Sequence, residues 1–476
     1  MVDNHNQTGE IANQAVDTVH SVDVIGDSEK FQDEKLSDEF RNIDAKSDSD
    51  DNGIPLLDNA DLFPEGGVKA YTVLFGSFCG MISSLSFLNA AGVLQSYLLE
   101  NILTTSNPST VGWIFSINSF VQFGCLLIVG PIFDHFGCKI PLICGLVFQT
   151  VGFLCASWGH QTYQFILSYS ILGGMGTSLV FGVNIGVLSH WFLKKRAMAI
   201  GLSYIGGAIG GALFPVMYQQ LFPKIGFGWT VRVGVLIILC FGILSLLTVQ
   251  DRRDVFNETD KESKDPLIKQ VFKSIDIRVF KDKIYTSLVV SLVGQGFAFL
   301  VTMTYLTSYS VAQGFSPSKS YYLVLTINCV SILGRVIPGI FADMYGRFNA
   351  LCVIGLSSTI VICVLWLNTR VSHTLVGLFI YAGIFGFTSG SILSLSPACV
   401  GQISQTKDFA KRTGTAFFVF SFGDLIGIPI GGAIAGDGSS KSYDHMVIFV
   451  AVSSILGTIG AFIARYLYGG AKLRRI

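Results

Sequence analysis

The sequence predicts an all-α polytopic membrane protein with twelve transmembrane helices in two six-helix halves. Three observations carry that expectation. Half of the 476 residues are hydrophobic and only 13% are charged, against roughly 25% charge in soluble globular domains. Apolar stretches long enough to cross about 30 Å of hydrocarbon recur along the chain. The longest hydrophilic interval within that series divides the stretches six and six.

The spans fall near residues 70–94, 111–132, 140–158, 163–187, 198–221 and 230–249 in the first half. In the second half they fall near 285–308, 321–342, 349–367, 374–398, 413–435 and 445–467. Residues 1–69 hold 17 of the 32 acidic residues and five basic ones. With few aromatics and no apolar periodicity, this stretch is expected to be a disordered acidic tail. It lacks the basic start and apolar run of a signal peptide. The remaining divisions are a first half at 70–249, a central loop at 250–284, a second half at 285–468 and a basic end at 469–476.

Basic residues set the expected orientation. With the N-terminus in the cytoplasm, the inside loops and C-terminal end carry 21 Lys and Arg, and the outside loops carry four: Lys224, Lys319, Arg370 and Lys441. The positive-inside rule then puts both termini and the central loop in the cytoplasm. The sequon at Asn257 is expected to stay unglycosylated.

The halves echo one another. Gly130-Pro-Ile-Phe-Asp134-His-Phe-Gly137-Cys-Lys139 follows span two, and Gly339-Ile-Phe-Ala-Asp343-Met-Tyr-Gly346-Arg347 follows span eight, the aspartates 209 residues apart. A second pair, Gly176 and Gly386, is offset by 210. Two matches at nearly one offset imply a parallel duplication. In these loops an aspartate can bond a neighbouring helix N-terminus and basic groups, while glycine permits the tight turn. Gly130, Asp134, Gly137 and Lys139, with Asp343, Gly346 and Arg347, are therefore candidates for a conformational clasp; the plain alternative is a charged connector.

The Gly-x-x-x-Asp-x-x-Gly loops resemble the cytoplasmic signature of the major facilitator superfamily. Three further motifs resemble its monocarboxylate porter-like branch: Glu65-Gly66-Gly67 opening span one, Trp191-Phe-Leu-Lys-Lys-Arg196-Ala-Met-Ala-Ile-Gly201 before span five, and Tyr381-Ala-Gly-Ile-Phe-Gly386-Phe in span ten. Within that branch the chain is similar to the fungal homologues, closest to their riboflavin-transporter subgroup, through Phe63–Ala70, Leu333–Asp343 and Thr388–Ile403. The resemblance covers about residues 63–470. It implies the twelve-helix fold and transport of a small organic solute by alternating access.

Arg335 and Asp424 are the ionisable residues well inside the spans, and intramembrane charge is expensive enough to mark each as functional. Arg335 matches the family's span-eight arginine, which in the monocarboxylate carriers is associated with the substrate carboxylate, a group suited to a guanidinium fork. The alternative is a structural cation bonded to carbonyls. The proton-coupled members carry an aspartate one turn before that arginine, where this chain has Ser331, and a lysine in span one, where it has Leu88-Asn89-Ala90. Neither serine nor asparagine titrates in the physiological range, which argues against the family's proton–carboxylate mechanism. Asp424 is a candidate replacement proton site; the alternative places it at a helix interface.

Asn89, Asn184, Gln295 and Asn328 are candidate substrate contacts, and Asn118 is a further polar group. Each has helix packing as its plainer role. Asn328 shares a helix face with Arg335. The runs Gly206-Gly207-Ala-Ile-Gly210-Gly211 and Gly427-x-x-x-Gly431 suit close helix contact. Nearly all ten cysteines fall in apolar spans without a CxxC pair and read as small buried hydrophobes. No metal constellation, phosphate-cradling loop or nucleophile–base–acid set is visible, so no cofactor, metal, ATP-driven pumping or enzymatic role is expected. No nucleic-acid partner is expected either. The expected function is riboflavin transport by facilitated diffusion. A proton-linked monocarboxylate symporter and a non-transporting membrane nutrient sensor are the alternatives. The expected partners are the solute and the bilayer, in the plasma membrane or, alternatively, the vacuolar membrane.

Overall fold

The computed structural model describes residues 62–252, 255, 277–436 and 439–470. The acidic tail up to residue 61, Asn257, most of the central loop and the basic end from residue 471 lie outside the described residues.

Among the described residues, eleven helical stretches are long and apolar enough to cross a membrane. They are α1 (Gly67–Asn101), α2 (Thr110–Phe136), α3 (Lys139–Ala156), α4 (Thr162–Trp191), the 53-residue stretch Arg196–Thr248, α7 (Lys283–Ala312), α8 (Lys319–Tyr345), α9 (Arg347–Trp366), α10 (Leu375–Gln402), α11 (Asp408–Ala435) and α12 (Ser440–Gly469). The long stretch breaks at Gly226, whose φ of 72° and ψ of 175° are not helical. A backbone turn at positive φ is open to glycine without strain, and it divides the stretch into α5 (196–225) and α6 (227–248). Twelve spans result, as the hydropathy pattern predicts. Helices are the element that satisfies every backbone group internally, which hydrocarbon requires.

The expected tail boundary at residue 69 is too late. Phe63 is buried, and the Glu65 carboxylate accepts backbone N–H groups of Leu193 at 2.7 Å, Lys194 at 2.5 Å and Lys195 at 3.1 Å. Those amides lead directly into α5, so a carboxylate sits at a helix N-terminus where the dipole favours it. Glu65 holds φ 52° to do this, a strain of about 1–3 kcal/mol that three charge-assisted bonds offset. The acidic-Gly-Gly motif is thus a cap on the loop before α5, and composition alone could not distinguish it from the acidic tail.

The duplication is real in three dimensions. The halves meet where α8 packs on α5 and α11 packs on α2. A Cβ on Gly130 would lie 3.1 Å from the backbone of Ala410 and Lys411, and one on Gly339 would lie 3.0 Å from the carbonyl of Ala197. Likewise, a Cβ on Gly414 would meet the carbonyl of Leu126 at 2.4 Å, and one on Gly201 would meet that of Arg335 at 2.2 Å. Each interface repeats the other, and Leu126 occupies in the first half the place of Arg335 in the second. The second echo shifts register: Gly174, not Gly176, is the partner of Gly386. A Cβ on Gly174 approaches Asn118 O on α2 at 3.1 Å, and one on Gly386 approaches Ile327 O on α8 at 2.6 Å, whereas Gly176 faces α3 through Gln149.

The Gly206–Gly211 run serves two neighbours. Gly206 and Gly210 admit α1, with Phe78 and Ser86 in the way of any added Cβ; Gly207 and Gly211 lie where α1 and α8 meet, Gly207 against Leu85 and Arg335 and Gly211 against Asn89 and Asn328. Small residues at helical spacing let backbones approach on both faces. We expect Gly201→Ala to insert normally in the membrane and to lose most transport, because its Cβ collides with main chain and forces α5 from α8. Quantitative surface labelling beside an uptake assay checks this; uptake above about half of wild type would show that the interface yields.

The cysteine expectation needs correction. Cys79, Cys138, Cys352 and Cys399 are buried, but Cys144, Cys155, Cys240 and Cys329 are exposed at the bundle surface. Lipid tails are as apolar as a core, so an apolar span does not reveal which face looks outward.

Candidate substrate cavity and inter-half clasp

At one end of the bundle the two halves are joined. The Asp343 carboxylate accepts N–H groups of Ala197 at 3.2 Å and Met198 at 2.7 Å in the first turn of α5. It also pairs with Arg347 at 3.2 Å, and Arg347 in turn donates to the carbonyl of Leu193. Gly346, at φ 105°, makes the turn that brings α9 back under α8. Gly137, at φ 75°, does the same after α2. Gly130 brings α2 against the start of α11, with half-buried Asp134 one turn further on. Lys139 does not mirror Arg347. Its ammonium donates to the carbonyl of Leu246 at the end of α6, in its own half. The residue one repeat before Arg347 is Cys138, and this one-residue displacement turns the lysine away from the other half.

Sequence reasoning missed Arg196, the last of three consecutive basic residues that read as a solvated loop. It is fully buried. Its Nε donates to Phe192 O at 3.0 Å and one Nη to Ser189 O at 3.2 Å, within the first half. Across the interface it donates to Gly401 O at 2.9 Å and Thr406 Oγ1 at 3.2 Å. A guanidinium has five donors in a fixed fork, so one side chain can tie α4 and α5 to the end of α10 and the start of α11. The signal available in the sequence was its place inside the Trp191–Gly201 motif.

Beyond the joined end, a cavity of about 1260 Å³ lies between the halves. Its walls run from Arg335, Tyr204, Phe181, Leu393 and Phe417 at the floor to the ends of α1, α5 and α7 and the start of α8, where Glu100, Gln219 and Tyr322 are exposed. It is therefore reached from the end remote from Asp343. Rings dominate the floor: Phe123 stacks on Phe417 at 5.7 Å and 15°, with Phe181 edge-on to Phe417 and to Tyr204.

Three of the sequence-predicted polar residues converge on the Tyr204–Gly211 segment of α5. Asn89 lines the cavity and donates to Gly207 O at 3.0 Å. Arg335 lines it too, donates through one Nη to Tyr204 O and stands 5.8 Å from the Tyr204 ring centroid. Asn328 lies against Gly211, with its amide donating to Val324 O in its own helix. Ser331 closes on Asn328 O at 2.8 Å, so no carboxylate stands one turn from the arginine. The other two predicted contacts sit inside single halves, away from the cavity walls. Asn184 bonds Val180 O and Ser245 Oγ. Gln295 bonds Ser454 O and Thr458 Oγ1. A fully satisfied buried amide is helix glue, and spacing alone could not separate glue from cavity lining.

Asp424 shares its helix face on α11 with Phe417, Phe420 and Ile428, which line the cavity, but is not itself one of the lining residues. It is fully buried, and neither carboxylate oxygen has a hydrogen-bond partner among the described residues. Among the described residues no group of His, Cys, Asp and Glu is placed to hold a metal ion.

This arrangement can seat a solute between two bodies joined at one end, with recognition groups from both. The comparisons with known proteins agree. The family model described as Major Facilitator Superfamily matches residues 76–371. The riboflavin transporter MCH5 of Saccharomyces cerevisiae is 35% identical over 421 residues, covering 86% of this chain and 80% of that protein. The MFS transporter asaE of Aspergillus flavus is 32% identical, with 87% and 91% covered. The agnestins efflux protein AgnL12 of Paecilomyces divaricatus is 28% identical, with 83% and 87% covered. By its matched family model, its relatives and its twelve-span fold, the chain belongs to the Major Facilitator Superfamily and is a multi-pass membrane transporter of a small-molecule substrate.

Proposed function

We propose that this transporter carries riboflavin by facilitated diffusion across the plasma membrane. The observation that carries the reading is the floor of the cavity: one guanidinium, Arg335, among aromatic faces, with Ser331 where a partner carboxylate would make it a proton-linked acid carrier. Riboflavin is neutral, aromatic and polyhydroxylated. Rings would stack on Phe and Tyr faces, Arg335 and Asn89 would donate to ring carbonyls, and the wider mouth would take the hydroxylated chain. The name of the yeast relative supports the same solute. The count of basic residues supports a cytoplasmic clasp and a cavity facing outward.

Asp424 supports a second reading, a proton-linked monocarboxylate symporter. A buried carboxylate without a partner is costly and becomes tolerable when protonated. The experiment is uptake of labelled riboflavin, lactate and pyruvate into cells expressing the chain, with and without a protonophore. Saturable riboflavin uptake that the protonophore leaves within about twofold is expected. Carboxylate uptake that rises steeply with acidity, with no riboflavin signal, would overturn the proposal and assign the proton to Asp424.

A further inference from the structure

We infer that Tyr204 is a substrate-recognition residue, its hydroxyl and the Nε–H of Arg335 together taking one polar edge of a planar aromatic solute. The two side chains come from opposite halves, Tyr204 from α5 and Arg335 from α8. They are neighbours at the cavity floor, the guanidinium carbon 5.8 Å from the tyrosine centroid. Both are almost fully buried, at 2% and 4% exposure, and both line the cavity. The Tyr204 hydroxyl and Arg335 Nε have no hydrogen-bond partner among the described residues. A buried polar atom left unmet is a cost of the kind folded proteins remove; two on neighbouring residues that both line one cavity floor are the groups a solute there could meet.

The internal repeat separates ring from hydroxyl. The offset that sets Gly201 against Gly414 pairs Tyr204 with Phe417, and Phe417 also lines the floor. Packing at this position is therefore met by a phenyl ring, and the hydroxyl is what α5 adds. Arg335 differs from its counterpart Leu126 in the same sense. These two departures from symmetry, each of which adds polar atoms, stand side by side.

Their chemistry defines the class. Nε–H only donates, whereas a phenol both donates and accepts. A ring edge that presents a carbonyl beside an N–H, as in a cyclic imide, satisfies both groups; a ring carboxylate takes two donated bonds. Phe123, Phe181 and Phe417 supply faces for the ring itself. A solute held this way bridges the halves, because each half contributes one of the two groups.

The inference rests on the transport reading above and names the polar edge within it. It is tested with Tyr204→Phe, which keeps the ring that the repeat shows to be sufficient for packing. Wild type and variant are compared for KM and maximal rate with riboflavin, riboflavin methylated on its imide nitrogen, salicylate and nicotinate, at equal surface level. For riboflavin, KM should rise about tenfold in the variant with maximal rate held within about twofold. Methylation should weaken uptake by wild type and add little in the variant, since the hydroxyl to which the imide N–H donates is already gone. An unchanged KM, or a reduced rate at unchanged KM, would overturn the inference and leave Tyr204 a structural residue. Riboflavin uptake with the same KM in both proteins would do so while sparing the vitamin reading. Tyr204-dependent salicylate or nicotinate uptake without riboflavin uptake would spare the inference and remove the vitamin. No uptake of any of the four would overturn both.

Discussion

Arg335→Lys should reduce uptake to less than about one-tenth of wild type while the protein still reaches the membrane. The reason is geometric. In the structure one Nη is committed to the carbonyl of Tyr204 across the interface, and the rest of the fork is what remains for solute. A lysine ammonium is a compact point charge that cannot hold the carbonyl and present a second, oriented donor at once. Losing an oriented, desolvated hydrogen bond to a charged donor is worth about 1.5–3 kcal/mol, or roughly ten- to hundredfold in affinity. Arg335→Leu is the matching control. It installs the residue that the first half carries at the equivalent place, Leu126, so the helix contact should survive while transport is lost. Uptake kinetics beside surface biotinylation check both. Transport by Arg335→Leu near the wild-type rate would show that the cation serves the interface and not the solute.

Asp343→Asn should lower transport at least about fivefold and open the clasp end. The carboxylate now holds two N–H groups at the start of α5 and the Arg347 guanidinium. An amide keeps the shape but has one acceptor oxygen, no charge for the helix dipole and none for Arg347. A loss of about 1.5–3 kcal/mol from the state joined at that end shifts a two-state equilibrium by roughly ten- to hundredfold. Thr413, buried between the halves near Gly130 and Gly414, reports the shift. A cysteine there, in a background free of the native cysteines, should react faster with an impermeant thiol reagent applied from the clasp end when Asp343 is changed. Equal labelling, together with normal uptake by Asp134→Asn/Asp343→Asn, would make these loops passive connectors.

Several features were legible because they are written in single residues or short periods. Hydrophobic runs gave the spans, and the break at Gly226 falls between two of them as expected. The second Gly–Asp–Gly repeat contains Asp343, which is bonded across the halves, and Arg335 stood out because charge inside hydrocarbon is rare. Other features needed the third dimension. Asn89, Asn184, Gln295 and Asn328 look alike in sequence, yet the structure sets Asn89 on the cavity wall and Asn328 beside it, and buries Asn184 and Gln295 inside separate halves. Arg196 looked like loop charge and is a fully buried tie between the halves. Tyr204 gave no signal at all, because a tyrosine in an apolar span is ordinary until its neighbour is known to be an arginine from the other half.

The sequence by itself determined that the chain is a polytopic helical membrane protein, that its halves are duplicates and where charge enters the bilayer. Those follow from local transfer energies and from residue types at fixed spacing. Tertiary structure alone decided which end is joined, which polar groups share a cavity and which two polar departures from the repeat become neighbours. These depend on contacts between segments some 130 to 210 residues apart, such as Tyr204 with Arg335 and Arg196 with Gly401 and Thr406. No local pattern encodes such a contact, because either partner would look the same if the other were elsewhere.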